Sequence, residues 1–130
     1  MPRVIHFEIH CDDTARAIAF YEAAFGCAFQ RYEGGPMEYW LVTTGPDSEP
    51  GINGGLMKLM GPPPGTGAAL NAFACTVHVP DLEAALESCL GAGATLAVPR
   101  MPIPGVGWLA YVVDPEKNIL GLMQHDPAAR

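Results

Sequence analysis

Three side chains that can titrate or bind a metal ion occupy alternate positions near the start of the chain: His6, Glu8 and His10. Phe7 and Ile9 lie between them, and this period of two predicts a β-strand with one apolar and one polar face. A carboxylate on such a face can accept protons, and imidazoles can carry protons or bind metal ions. The polar face of this strand is therefore the first candidate functional site.

The spacing of these three side chains argues against one shared metal ion. Positions i, i+2 and i+4 of a strand extend over roughly 13 Å, which is too far for three ligands of a single ion. His78, which an internal repeat pairs with His10, is a candidate partner for a site at the strand ends, but the more ordinary interpretation of both histidines is that they are solvated.

The strand that carries these residues belongs to a segment that occurs twice. Residues 3–26 recur in weaker form at 71–94, an offset of 68 positions. Each copy is typical of a strand, an aspartate turn, a helix and a glycine-rich exit. Asp13 or Thr14 is the predicted N-cap of the first helix and Asp81 that of the second, because a short side-chain oxygen can accept from free N–H groups of the first turn.

The pattern predicts a single domain, 1–130, made of two β-α-β-β-β modules. The first module covers about 1–60, a Pro/Gly-rich linker covers 61–70, and the second module covers about 71–126. Gly54 and Gly55, inside the fourth strand, predict close approach of another backbone or of a ligand. Predicted strands cover 4–10, 27–32, 37–44, 52–60, 73–79, 95–98, 108–113 and 119–124; the second helix covers 82–90, and 101–107 is predicted to be a loop.

Composition narrows the classes of function. The net charge of −7 disfavours nucleic acid and anionic membrane surfaces as partners, and no apolar run approaches the roughly 20 residues of a spanning helix. Hydrophobic residues make up 49% of the chain, enough for a packed core. The four cysteines form no CxxC pair, so free thiols and a cytoplasmic protein are expected.

The order and spacing of three segments resemble the vicinal oxygen chelate superfamily, which includes glyoxalase I, extradiol dioxygenases, methylmalonyl-CoA epimerase and the fosfomycin and bleomycin resistance proteins. The segments are HFEIHCDDTARAIAFYEAAFG, VHVPDLEAALESCLGAGA and GVGWLAYVVDPEKNILGL. The resemblance implies an α+β, glyoxalase-like fold in which the modules form a curled eight-stranded mixed sheet around a cleft. It also implies a homodimer.

Enzymes of this superfamily hold a divalent metal ion through the first and last strands of each module. Here His6 is the only such position filled: the fourth strand offers no carboxylate or imidazole within 53–59, and Ala74 and Gly121 occupy the other two positions. A catalytic zinc site normally takes three protein ligands. We therefore expect no metal cofactor, with a divalent ion such as Zn, Ni, Fe or Mn as the alternative.

Two kinds of function remain open. The first is a metal-free binding protein for a small apolar molecule. The second is an enzyme of the vicinal oxygen chelate type, a lyase, isomerase or dioxygenase, which either depends on metal or uses Glu8 as a catalytic base beside His6. Tyr39 is a further candidate for lining an apolar pocket. The predicted ligand contacts are His6, Glu8, Trp40, Met57, Trp108 and Met123.

Overall fold

The computed structural model of the chain describes residues 2–69, 72–116 and 118–130. These residues form eight strands and two helices in the order of two β-α-β-β-β modules, which confirms the predicted α+β fold class. Module 1 consists of β1 (Arg3–Cys11), α1 (Thr14–Phe25), β2 (Ala28–Arg31), β3 (Tyr39–Thr43) and β4 (Gly54–Lys58). Module 2 consists of β5 (Ala74–His78), α2 (Leu82–Gly91), β6 (Thr95–Ile103), β7 (Gly107–Val113) and β8 (Ile119–His125).

The strands of module 1 lie in the order β2-β3-β4-β1, with β4 and β1 parallel and the other pairs antiparallel. Ile9, Val42 and Leu56 form its buried core, against which side chains of α1 pack. Phe7 packs on the same cluster as Ile9. The predicted alternation of β1 is therefore confirmed, and His6, Glu8 and His10 lie on the face away from α1.

Module 2 repeats this arrangement with the strand order β5-β8-β7-β6, in which β5 and β8 are parallel. Its buried core lies between the sheet and α2, where burial of apolar side chains supplies most of the stabilisation. The members of this core are Val79, Leu82, Ala110, Val112 and Leu122.

Both predicted helix N-caps are confirmed. Asp13 Oδ1 accepts a hydrogen bond from the backbone N–H of Arg16 at 3.1 Å, and Asp81 Oδ1 accepts one from Ala84 at 3.2 Å. Gly26 follows α1 with φ 71°, the left-handed conformation expected at a helix end.

The long strand β6 departs from the prediction. The sequence suggested a strand over 95–98 and a Pro/Gly loop over 101–107, but pairing with β7 continues to Ile103. Pro99 and Pro102 are accommodated because β6 lies at an edge of the sheet, where a missing N–H costs no ladder bond on the open side. Two register shifts in the pairing, between Leu96 and Val98 and between Val98 and Met101, mark where the strand is irregular.

Contacts divide the chain into two compact units. One contains residues 6–73, and the other contains residues 74–130 together with the start of β1 up to Ile5. Residues 61–69 of the predicted linker contain no helix or strand, whereas Leu70 and the first residue of the predicted second module, Asn71, lie outside the described residues. Over the described residues, neither helix has the length and apolar character needed to cross a membrane.

Candidate functional site

The polar face of β1 forms a hydrogen-bonded row with one residue from β3. The Tyr39 hydroxyl donates to Glu8 Oε2 at 3.2 Å, and His6 Nε2 lies 3.0 Å from the same hydroxyl. His10 Nε2 lies 3.2 Å from the other carboxylate oxygen, Glu8 Oε1. We call His6, Tyr39, Glu8 and His10 the polar row.

Glu8 is the central member of the polar row and is only 8% exposed. A buried carboxylate is costly unless it is hydrogen-bonded or paired. Tyr39 and His10 supply such partners on its two oxygens, and a protonated His10 would also form an ion pair with it. These two hydrogen bonds offset part of the cost of burying the carboxyl group.

Tyr39 reaches Glu8 by crossing an intervening strand. In the register of the sheet, Tyr39 lies opposite Met57 on β4, while Glu8 lies opposite Gly55. A Cβ atom added to Gly55 would overlap the Tyr39 hydroxyl and ring. The absence of a side chain at Gly55 therefore opens the path along which the phenol ring passes from β3 to β1.

The two glycines of β4 have different roles. At Gly54 an added Cβ would overlap the carbonyl oxygen of Phe7, so this position brings two backbones close together, as the sequence suggested. At Gly55 the space is filled by the Tyr39 side chain, which belongs to the protein itself.

Electrostatics distinguish the two histidines nearest the carboxylate. Burial lowers the pKa of His6 below its ordinary value of 6.5, and the negative charge of Glu8 opposes that shift only in part. His6 is therefore a neutral imidazole near pH 7. His10 lies at the more exposed end of the row, with a side chain 35% exposed.

The predicted contacts in module 1 fall on two different faces. Met57 lies opposite both His10 and Tyr39 in the register and shares their face of the sheet. Trp40 packs against the core cluster on the α1 side, and its indole Nε1 lies 3.4 Å from Glu38 Oε2. Trp40 therefore lies on the core face of β3, opposite to the face of Glu8, and its role as a ligand contact stays a prediction.

The predicted contacts in module 2 divide in the same way. Trp108 packs against the core cluster on the α2 side and donates to Asp126 Oδ2 at 3.0 Å. The Arg100 guanidinium lies 4.0 Å above its ring. Trp108 thus lies on the core side with its indole N–H bound to Asp126, and its role as a ligand contact likewise stays a prediction. Met123 lies opposite His78, on the face away from α2.

The hydrogen bond from Trp108 also affects Asp126. It is the largest cause of a lowered pKa for that carboxyl, which also accepts from the backbone N–H of Ala128. Asp126 therefore satisfies the hydrogen-bonding capacity of the Trp108 indole N–H.

The side chains do not fit the metal site that the resemblance implies. His6 Nε2 is engaged by the Tyr39 hydroxyl, and β4 presents Gly55 and Met57 rather than a carboxylate or imidazole on this face. Throughout the part of the chain that the structure describes, no three His, Cys, Asp or Glu side chains are grouped to hold an ion.

A small cavity lies elsewhere in module 1. It has a volume of about 150 Å³ and is formed by the loop between β3 and β4, including Thr44, Asp47, Glu49 and Asn53. None of the predicted ligand contacts lines it. We therefore build the candidate site on the polar row and not on this cavity.

Comparison with known proteins agrees with the architecture. Residues 3–45 match a family model described as bleomycin resistance protein-like N-terminal, and no curated protein matches the chain. A glyoxalase/bleomycin resistance protein/dioxygenase superfamily member from Vibrio splendidus 12B01 aligns with TM-score 0.61 and 20% identity, over 95% of this chain and 99% of that one. The chain has the glyoxalase-like fold of this neighbour.

Two methylmalonyl-CoA epimerases share this glyoxalase-like fold. The Mycobacterium tuberculosis protein aligns with TM-score 0.64 and 14% identity, over 95% of this chain and 88% of that chain. The Streptomyces coelicolor protein, solved with 2-nitronate-propionyl-CoA, aligns with TM-score 0.62 and 15% identity, over 98% and 97%. At such low identity the likeness concerns the fold, so chemistry must be argued from the residues of this chain.

Sequence reasoning missed the role of Tyr39, which it treated only as a pocket-lining candidate. The bond to Glu8 depends on the register between β3, β4 and β1, which no local pattern reveals. One signal was present: a glycine at position 55, where a strand would ordinarily have a side chain.

Proposed function

We propose that the chain binds a small, largely apolar organic molecule, neutral or cationic, without a metal ion. His6 and Glu8 are its polar contacts, with Met57 as an apolar neighbour on the same face. The observation that carries the proposal is the Glu8 carboxylate, which is 8% exposed and held in place by Tyr39 and His10. Binding sites are typically apolar with a few fixed polar groups of this kind.

The charge of the ligand follows from the charge of the protein and of the site. A carboxylate kept from water interacts more strongly with a cation or an N–H donor than it would in solution. The net charge of −7 disfavours anionic ligands at long range as well.

A thermal-shift screen of aromatic, cationic and anionic metabolites tests this proposal. Glu8→Gln should weaken a cationic hit by about 1–3 kcal/mol, because a charge-assisted hydrogen bond is replaced by a neutral one. Glu22→Gln, an exposed position on α1, makes the same charge change and should leave binding unchanged. Stabilisation by anionic compounds alone, or equal responses of wild type and Glu8→Gln to every hit, would contradict the proposal.

The metal-free part of the proposal has its own measurement. Elemental analysis of untagged protein should find no stoichiometric transition metal, since His6 alone fills the implied ligand set. About one equivalent of Ni, Zn, Fe or Mn per chain, lost in His6→Ala, would show that a metal site exists.

The second candidate function is an enzyme in which Glu8 acts as a general base. The observation that favours it is the polar row, because Glu8 has proton-carrying groups on both oxygens, Tyr39 and His10. A carboxylate in this position can remove a proton from a carbon acid when it comes within hydrogen-bond distance of it.

Deuterium exchange separates the enzyme from the binding protein. Each hit from the screen is incubated with the protein in D₂O, and loss of its C–H signals is followed by NMR. Exchange that disappears in Glu8→Gln while binding persists would favour the enzyme. Hits that bind without exchange would favour the binding protein.

We also propose that the protein is a homodimer located in the cytoplasm. Support for the dimer comes from apolar side chains left exposed on α1, with Phe20 56% and Phe25 69% exposed. The four cysteines are free thiols, which suits a reducing compartment. Light scattering should give about twice the chain mass of 13.8 kDa, whereas a value for one chain at micromolar concentration would exclude the dimer.

A further inference from the structure

The number of hydrogens that the side chains of the polar row can donate fixes the direction of its hydrogen bonds. A phenol has one hydrogen to donate and two lone pairs, whereas an ionised carboxylate only accepts. The Tyr39 hydroxyl donates its hydrogen to Glu8 Oε2. Toward His6, at 3.0 Å, the same oxygen can then only accept, so the hydrogen in that bond must belong to His6 Nε2.

The protonation state of the His6 imidazole decides which of its nitrogens can accept a hydrogen bond. Burial lowers the pKa of His6, so the ring is neutral near pH 7 and carries a single hydrogen. With that hydrogen on Nε2, the other nitrogen, Nδ1, carries a lone pair.

The position of the phenol oxygen is set by the fold. Tyr39 lies over Gly55, the only residue type that leaves room for it there, and its ring also packs edge-on against Tyr32 at 6.2 Å between centroids. The hydroxyl is therefore held between His6 and Glu8 by the protein alone.

We propose that Tyr39 is a positioning residue that holds His6 as the Nε2–H tautomer, so that His6 Nδ1 accepts a hydrogen bond from an N–H or O–H group of the ligand. This ligand class rests on the proposed binding function, whereas the tautomer does not. A neutral histidine without such a partner exchanges between its tautomers, and its accepting nitrogen is then not defined.

Long-range ¹H–¹⁵N NMR of the histidine side chains tests the tautomer in the free protein, with His6 assigned by the signal lost in His6→Gln. Wild type should show Nε2 protonated and Nδ1 unprotonated. Tyr39→Phe keeps the ring and removes the hydroxyl, so His6 should shift to a tautomer mixture. Tyr32→Phe removes the hydroxyl of the neighbouring ring and should leave His6 unchanged.

Gly55→Ala provides a second route, because its methyl group displaces the Tyr39 ring and should also produce the mixture. A wild-type Nδ1–H tautomer, or a His6 tautomer that is the same in wild type and Tyr39→Phe, would overturn the proposal.

Two small probes test the ligand class. p-Cresol carries an O–H donor, and 4-methylanisole replaces it with a methyl ether of nearly the same shape. p-Cresol should shift the His6 Nδ1 resonance at concentrations at least tenfold lower than 4-methylanisole, and this preference should shrink in Tyr39→Phe. Equal or stronger effects of 4-methylanisole would overturn the donor requirement.

The two failures can be told apart. If the tautomer is as expected but neither probe affects His6, the assignment of His6 as a ligand contact fails, and with it the ligand half of this inference. If the probes bind but the tautomer is wrong, the proposed function survives and the role of Tyr39 fails.

Discussion

Modules 1 and 2 share the same element order, strand pairing and helix caps, but they carry different side chains on the faces away from their helices. In module 1, Glu8 lies opposite Gly55 in the parallel strand pair; in module 2, Thr76 lies opposite Gly121 in the corresponding pair. Glu8 and Thr76 are both buried, yet only one of them can carry a charge. The repeat has preserved what folds the chain, while the buried side chain opposite the glycine is titratable only in module 1, at Glu8.

The two glycines differ in what surrounds them. Gly55 is overlapped by a ring that arrives diagonally from Tyr39, whereas Gly121 has Tyr111 directly opposite it in the antiparallel register. A Cβ at Gly121 would lie 2.9 Å from Thr76 Oγ1 and 3.1 Å from a ring carbon of Tyr111. In module 2, Tyr111 thus lies next to Gly121, whereas in module 1 the Tyr39 ring lies directly over Gly55.

The largest expected effect tests what the modules share. Leu56 is fully buried on β4, and Leu122, 3% exposed, occupies the matching place on β8. Leu56→Ala and Leu122→Ala should each lower the free energy of unfolding by about 2–5 kcal/mol, from lost burial and the cavity created. Urea unfolding measures both. A cost under about 1 kcal/mol in one module alone would show that the cores are not equivalent.

The glycine pair tests what separates the modules. Gly55→Ala should cost about 1–3 kcal/mol of stability, because the new methyl group must displace the Tyr39 ring. Gly121→Ala should cost less, since its neighbours need to move only slightly. Gly91→Ala, at the end of α2 with nothing near its added Cβ, is the control and should be neutral or stabilising by up to about 1 kcal/mol. Equal costs at positions 55 and 121 would remove the distinction.

The helix caps should respond alike in the two modules. Asp13→Ala and Asp81→Ala each remove an oxygen that accepts from the first turn, so each should cost about 1 kcal/mol in urea unfolding. Replacement of either residue by asparagine keeps the acceptor and should recover most of the loss. A cap that matters in one module only would show that the other helix is fixed by packing alone.

The smallest effect concerns pH and should arise from module 1. Because burial lowers the pKa of His6, the unfolded chain binds a proton there more readily than the folded chain. Stability should therefore fall as pH is lowered through 6.5, and this penalty should be absent well above that pH. Wild type should lose more stability than His6→Gln between pH 7.5 and 5.5.

Glu8→Gln sharpens this pH measurement. It removes the charge that raises the His6 pKa, so the loss of stability that starts near pH 6.5 should become larger and continue to lower pH. A wild type and a His6→Gln variant with identical pH profiles would contradict the assigned burial of the imidazole.

Sequence reasoning was most reliable where the signal is local. The alternation of β1 and the capping role of Asp13 depend on neighbouring residues only, and both are confirmed. It could not place Trp40 on one face, because the apolar run around β3 gives no indication of which side chains face the helix. Only the pairing of Trp40 with Leu56, itself a core residue, settles its face.

The end of β6 was missed for a related reason. Pro99 and Pro102 are strong loop signals in a single sequence, and only the position of the strand at an edge makes them compatible with pairing. The site was predictable in part: Glu8 and His6 stand out by type and spacing, whereas the bridge from Tyr39 depends on register across three strands.

The irregular strand β6 also has a consequence for how the chain meets other chains. An exposed sheet edge offers a row of N–H and C=O groups to which a foreign strand can add. Pro99 and Pro102 have no backbone N–H to offer an added strand, and the register shifts interrupt the even spacing that such a strand would need. The features that made this segment hard to recognise as a strand thus also make it a poor template for aggregation.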